Sequence, residues 1–498
     1  MMSRKLIPLP HPYLHFQAFS LGIQKGFMKL PNRSLSRRSV LAALASSAGY
    51  AAAQTILPGM PNIGFKGDNN AARTECGIGA LMPWADGLYA STYNSSGKRT
   101  GTGLGLYRID DTLKSELVDI HNGVYANRFI HHHSNQCIIG PYIIDSAGKW
   151  RRIEGLVEHR LTSTMPHLTD PENRVYFQTM EGLFFEMDVT DLKPRLLSNL
   201  AKEMNITKQP HFKGGYTAQG RVVVTNNGFF QYGETQAGLF EWDGKSPWRR
   251  IFDKPHMDVA ARENMGNVLF TTGWDERSVL LSALVNGKWQ RYRLPKASHA
   301  FEQSWQTEWM RIREVETEHF MVDIQGMFYE LQPLAFEDHI WGVKPICQHL
   351  RTIPDYCSFR GLLALGGNET SPNNDNNAVA GQPQSGIWFG KTDDLWSWGQ
   401  PQGWGGPWRN DQVIAGQPSD PFLFTDFRRK MLHLIAEKSA SVEIQIDFLG
   451  NGTWVKYESV RLIGGNYHPV LFPDAFSAQW VRLISNVSCK MTAEFMFT

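Results

Sequence analysis

Gly182-Leu-Phe-Phe-Glu-Met-Asp188 and Gly238-Leu-Phe-Glu-Trp-Asp-Gly244 are two copies of one phrase: a glycine, a short aliphatic and aromatic run, and an acid or glycine that ends it. Each follows a shorter apolar run, Arg174-Val-Tyr-Phe-Gln178 in one case and Arg221-Val-Val-Val-Thr225 in the other. The second copy continues into Trp248-Arg-Arg-Ile251. Runs of four to eight β-branched and aromatic residues closed by turn formers read as strands. Working outward, the same unit starts at Ile78, Cys137, Val268, His319 and Gly361, which makes seven places in all. The spacing of roughly 40 to 60 residues is near the blade length of β-propellers, whose blades are four-stranded antiparallel sheets.

The expected fold is therefore all-β: a seven-bladed β-propeller over 75–408 with a C-terminal β-strand extension or small sandwich over 409–498. An irregular pair of sandwiches or a β-helix is the alternative. Beyond Trp408 the texture changes to strict alternation, as in Ser441-Val-Glu-Ile-Gln-Ile-Asp447, and Gly450-Asn-Gly452 signals a hairpin. Asn368 to Ser385, rich in Asn, Gly, Pro and Gln, reads as a long surface insertion in the last blade.

Composition narrows the class. The chain of 498 residues is 42% hydrophobic and 20% charged, with 45 Gly, 26 Pro and 16 Trp, which suits a turn-rich β protein with aromatic surfaces. Fifty basic and 48 acidic residues leave a net charge of +2, so no global field recruits nucleic acid. The basic excess is N-terminal: Arg4, Lys5, Lys25, Lys29, Arg33, Arg37 and Arg38 all precede the first acid, Asp68. Ser36-Arg37-Arg38-Ser39-Val40-Leu41, then an Ala-rich run and Ala51-Ala52-Ala53, looks like a twin-arginine signal covering 1–53. A mitochondrial transit peptide is the competing interpretation, since it too is Arg-rich and acid-poor. Residues 54–74 read as an extended arm. Export, periplasmic or extracellular, and a soluble monomer away from any membrane are the expectations. Five scattered cysteines make no disulfide framework.

Propellers gather function where loops from several blades converge on the channel. The richest candidate is Gln209-Pro-His-Phe-Lys-Gly-Gly-Tyr-Thr-Ala-Gln-Gly-Arg221, read as a glycine-rich loop before the strand Val222 to Val224. It offers His211, Lys213, Tyr216, Gln219 and Arg221, with Asn226 just beyond. Loops read as preceding other blades add Arg128, His131, His167, His299, Trp305, Trp309, Arg311, Arg313 and Arg360. The tryptophans offer flat faces to sugar rings, and Arg311 and Arg313, two apart on a strand, offer planar forks to a carboxylate. Elimination across a uronic acid needs a cation to neutralise the carboxylate, a base for the adjacent proton, and an acid for the leaving oxygen. Arg221, assisted by Gln219 or Asn226, suits the first task. Tyr216 and His211 suit the others, with His167 or His299 sharing the proton work.

A propeller with His, Tyr and Arg gathered at the channel mouth resembles the ulvan lyases and related propeller-fold polysaccharide lyases. The resemblance is one of architecture and residue types. It implies cleavage of an acidic polysaccharide or oligosaccharide by β-elimination, with Tyr216 as catalytic tyrosine, Arg221 neutralising the carboxylate, and His167 and His211 accompanying them. No cofactor is required for such catalysis. Two other classes stay open: glycoside hydrolysis, for which Glu308, Glu314, Asp170 and Glu181 supply carboxylates, and non-catalytic glycan binding. Cys347, His349 and Cys357, with His339 nearby, have the ligand types for a structural zinc.

Overall fold

A computed structural model describes residues 74–94, 105–121, 123–208, 210–228, 236–262, 268–298, 310–316, 318–349, 353–371 and 386–498. His299, Trp305, Trp309 and Glu308 lie outside them, as do the signal-like segment and almost all of the arm.

From Thr74 onward the chain forms one antiparallel sheet after another. The first contains Thr74–Trp84, Gly87–Asn94, Gly105–Ile109 and Ser115–Ile120; the second contains Arg128–His131, Gln136–Ile139, Tyr142–Asp145 and Trp150–Arg152. Leu161–Pro166, Arg174–Thr179, Leu183–Asp188 and Arg195–Asn199 make the third, and Phe212–Ala218, Arg221–Asn226, Gly238–Trp242 and Arg249–Phe252 the fourth. The fifth runs through His256–Ala261, Val268–Trp274, Val279–Val285 and Lys288–Leu294, and the sixth through Arg311–Val315, His319–Ile324, Met327–Leu331 and Lys344–Gln348. Tyr356–Phe359, Leu362–Gly366 and Ile387–Gly390 follow as a three-stranded sheet. The first strand of each sheet lies beside the first strand of the next, and Tyr356–Phe359 lies beside Thr74–Trp84, so the innermost strands close a ring. This is a β-propeller. Asn368–Ser371 also pairs antiparallel with Thr74–Gly77, so residues from late in the ring add a strand to its first sheet.

The innermost strands are where the structure departs from the sequence reading. Phe212–Ala218, read as a loop leading into Val222–Val224, is itself the innermost strand of the fourth sheet, and Val222–Val224 belongs to the second strand. The glycines explain both the misreading and the need. A Cβ on Gly214 would lie 2.5 Å from the Met257 carbonyl oxygen, so only glycine lets this strand pack against the first strand of the fifth sheet. Gly220, at φ +71°, takes the tight turn to the next strand beside Gln219, itself at φ +51°. The same shift applies to Arg128, His131, Arg311 and Arg313, which lie on innermost strands, and to Arg360, which sits in the turn after one.

The cores between adjacent sheets are apolar: Met165, Tyr176, Phe184, Phe212 and Val224 pack between the third and fourth, for example. The last hundred residues form a second body of β-structure. Gly403–Val413, Cys489–Phe497, Lys430–Ala436 and Tyr467–Leu471 make one four-stranded sheet. The other is an extension of the fifth propeller sheet: Lys288–Leu294 bridges in parallel to Phe422–Leu423, which pairs with Trp480–Ser485, then Ala440–Asp447 and Val455–Leu462. Their shared core runs from Phe270 and Leu281 to Phe422, Trp480 and Phe495. Arg293, fully buried, ties the junction by pairing with Asp275 at 3.0 Å and Asp420 at 2.8 Å.

Candidate functional site

A cavity of about 670 Å³ opens on the ring axis, lined by the innermost strands and turns from each of the sheets. Its wall carries Arg128, Arg311 and Arg313 together with Asp258, and Asp355 lies against the same arginines from the start of the last innermost strand. Arg313 sits between the two acids, with Nε 2.6 Å from Asp355 and Nη1 2.9 Å from Asp258. Arg128 Nε lies 3.1 Å from Asp355, and Arg311 Nη1 3.7 Å from Asp258. The backbone completes the set: Leu81 N donates to Asp355 at 2.7 Å, Ile312 N donates to Asp258 at 2.7 Å, and Arg311 Nε donates to the Pro354 carbonyl at 2.8 Å. Arg128 Nη1 reaches the Leu81 carbonyl at 2.7 Å and Nη2 the Tyr356 carbonyl at 3.2 Å.

Burial alone would push the Asp355 carboxyl up, but Arg128, Arg313 and Arg311 hold it below its ordinary value. For Arg313, burial is outweighed by Asp355 and Asp258, which stabilise its charge, while burial lowers Arg128 and Arg311. Arg128 and Arg313 share Asp355, and Arg311 and Arg313 share Asp258, in surroundings where charge is costly unless compensated. Arg128 and Arg313 keep 12% and 14% of their side chains exposed to the cavity, whereas Arg311 keeps 1%. The rim differs in sign. Arg262 lies 3.1 Å from Glu314 and 3.7 Å from Glu318, and Glu316 accepts from Thr392 at 2.5 Å.

Of the expected site residues, the cavity brings together Arg128, Arg311, Arg313 and Tyr216. Tyr216 stands on the fourth innermost strand, its ring half-buried against Val223 and Val259. The alternation expected for Arg311 and Arg313 is seen: both reach Asp258 from one face of their strand.

The other expected residues are held elsewhere. Arg221 Nη1 pairs with Glu241 at 3.1 Å, an acid that also binds Arg249 and accepts from Trp289 Nε1 at 2.7 Å, so Arg221 braces the fourth and fifth sheets. His211 lies outside the cavity lining. Its Nδ1 is 2.7 Å from the Asn227 side-chain amide, and burial, with Lys213 adding to it, drives its pKa well down. Lys213 is buried beside it. Asn226 accepts from His211 N at 3.0 Å and donates to the Gln236 carbonyl at 3.0 Å, which fixes the backbone at the start of the strand. Gln219 bridges to the fifth sheet through Leu284 O and Gly287 N, each at 2.8 Å. His167 Nε2 is 3.2 Å from Glu186, and its Nδ1 accepts from Asp170 N at 3.0 Å. Buried His131 contacts Ser134 Oγ at 2.6 Å and the Pro171 carbonyl at 2.9 Å, while His132, not His131, lines the cavity. Arg360, half exposed, lies 3.6 Å from Asp86.

The residues offered for zinc have other neighbours. His349 Nε2 is 3.0 Å from Asp323, Cys347 is buried under Phe328, Cys357 faces the central cavity, and His339 lies against Gly452. Burial pushes both thiols up to about 12. Among the described residues, no three His, Cys, Asp or Glu side chains gather as metal ligands would.

Asp258 and Asp355 are the residues the sequence reading missed. Their signal was present: Met257-Asp-Val259 and Pro354-Asp-Tyr356 each set one acid in an otherwise apolar run, where an acid needs a buried cation.

No family model and no curated protein matches the chain. Solved structures with similar folds include a chain of the mitotic checkpoint complex, at 10% identity and TM-score 0.39, covering 63% of this chain and 88% of that one. The WD40 repeats of RRP9 align at 9% identity and TM-score 0.39, over 65% of this chain and 99% of that one. A luciferin-regenerating enzyme aligns at 8% identity and TM-score 0.35, over 53% and 90%.

Proposed function

We propose that the axial cavity binds the carboxylate of an acidic saccharide against Arg128 and Arg313, and that Tyr216 on the same wall serves its cleavage by β-elimination. The observation that carries the binding step is that Arg128 and Arg313 both line the cavity and keep part of their side chains exposed, so that their planar guanidiniums can take a carboxylate in charge-assisted hydrogen bonds. In the reaction, the arginines lower the cost of charge developing on the carboxylate and its α-carbon. Tyr216, acting as the phenolate, takes the proton from that carbon, the C=C bond forms as the C–O bond at the β-carbon breaks, and the phenol then returns that proton to the departing oxygen. The neutralising role is thus assigned to Arg128 and Arg313, which line the cavity, rather than to Arg221, which is not part of its lining.

The proposal includes a closed ring of seven blades, supported by the succession of sheets. It also includes export, supported by the twin-arginine-like segment Ser36–Leu41. The test is calorimetric binding of uronate oligosaccharides to the full chain, followed by ultraviolet absorbance of an unsaturated uronate. Salt-sensitive binding, with absorbance that vanishes in Tyr216→Phe while binding persists, is expected. Absence of uronate binding overturns the proposal; binding without absorbance leaves a glycan-binding propeller and removes the elimination step.

A further inference from the structure

A second depression of about 490 Å³ runs outward from the cavity between the sixth and seventh sheets, and the two share Glu316, Phe320 and Gly361. The two adjoin at these residues. The groove is lined by Trp396, 48% exposed, on the 3-10 segment Thr392–Ser397 after the last propeller strand. Leu395 of that segment is buried among Val315, Ile346 and Trp388, which anchors the turn and presents the neighbouring indole outward. The polar lining is Glu316, Glu330 and Asp393 against Lys391 and His319. Three acids and one lysine give the groove a negative lining.

We infer that the groove is a second sugar subsite, with Trp396 as its stacking platform, and that it takes an uncharged pyranose linked to the acidic unit in the cavity. This rests on the reading that the cavity holds a uronate. The chemistry follows from the lining. An indole face packs against the C–H face of a pyranose. The carboxylates of Glu316, Glu330 and Asp393 accept from hydroxyl or amide donors but repel another carboxylate. The preferred ligand is thus a hetero-oligosaccharide in which an acidic unit alternates with a neutral one, and a homopolymer of uronates is disfavoured.

The test measures affinities of the full chain and Trp396→Ala for three probes: glucuronate, a disaccharide of glucuronate and N-acetylglucosamine, and digalacturonate. Covering one face of an exposed aromatic ring predicts roughly a tenfold advantage of the mixed disaccharide over glucuronate. That advantage should vanish in Trp396→Ala while glucuronate affinity stays unchanged, and digalacturonate should gain little over the monosaccharide. Glu330→Gln with Asp393→Asn should raise digalacturonate affinity severalfold. The inference is overturned if the disaccharide advantage survives Trp396→Ala, or if digalacturonate binds as tightly as the mixed disaccharide. Should glucuronate fail to bind while the mixed disaccharide binds and loses affinity in Trp396→Ala, the groove stands and the arginine reading falls. If no probe binds, both fall.

Discussion

Asp355→Asn isolates the energetics of the arginine cluster. Asp355 is fully buried, lies 2.6 Å from Arg313 and 3.1 Å from Arg128, and accepts from Leu81 N at 2.7 Å. Asparagine keeps the volume and an acceptor for Leu81, so what is lost is charge: Arg128 and Arg313 lose the carboxylate they share. Removing one partner of a buried ion pair costs about 3–5 kcal/mol, because the remaining cation is left uncompensated. At roughly 2 °C per kcal/mol for a large domain, the melting temperature at pH 7 should fall by about 5–10 °C. Because the folded carboxyl titrates below its ordinary 3.8, its contribution is present above that pH and lost as pH falls through the folded value. The gap between variant and parent, followed by circular dichroism, should therefore narrow in acid. Combining Asp355→Asn with Arg313→Met should cost less than the sum of the two, since each removes the other's uncompensated partner. A variant melting within about 1 °C of the parent, or strict additivity in the double variant, would refute this account of the cluster.

Other expectations are independent of the cavity. Asp275 is held at about 2 against the opposing effect of burial by Arg293 and Arg277, so it stabilises the fifth sheet above pH 3.8, by on the order of 2 kcal/mol, and this is lost as pH falls from 3.8 towards 2. Asp275→Asn should flatten that part of a pH–stability curve. Burial lowers His121 and His256 to about 4, so both fold neutral; their stability is complete above 6.5 and declines between 6.5 and 4 as the unfolded chain takes up protons first. Chemical denaturation at pH 7 and pH 5 should register a loss of several kcal/mol, and equal stability at both would contradict it. Gly214→Ala should force apart the innermost strands of the fourth and fifth sheets, lowering stability by about 2 kcal/mol or more, and a neutral result in a melting experiment would show that these strands can shift.

Much of the ring was legible because its second and third strands are apolar runs such as Val222–Val224 and Leu183–Met187, buried between neighbouring sheets and closed by turn residues. The sandwich strands were legible through alternation, as in Ser441–Asp447. The innermost strands were not. They crowd the axis where glycine replaces bulk, and face a polar channel, so Phe212–Ala218 carries the composition of a loop. The site followed suit: Arg311 and Arg313 were found because two arginines spaced by two share a strand face, whereas Arg221 and His167 looked equally chemical. Only the cross-strand register sets Arg221 near Glu241 and His167 near Glu186, partners 20 and 19 residues away. Ion-pair partners across antiparallel strands are fixed by register, which single-sequence periodicity does not give.

The bridge from Lys288–Leu294 to Phe422–Leu423 has a bearing on how the chain is made. As synthesis proceeds from the N-terminus, the outermost strand of the fifth sheet is complete long before its hydrogen-bonding neighbours emerge, more than a hundred residues later. Throughout that interval its unpaired backbone is an open template for another strand, the configuration from which edge-to-edge aggregation starts. A charged lining of Lys288, Arg291 and Arg293 guards it in the meantime, and the same arginines later receive Asp420 when the final strands dock. The ring's quality control is thus delegated to its last-made segment: shortening the chain ahead of Phe422 exposes that edge permanently, and the yield of soluble protein becomes a measure of how well the sandwich has closed it.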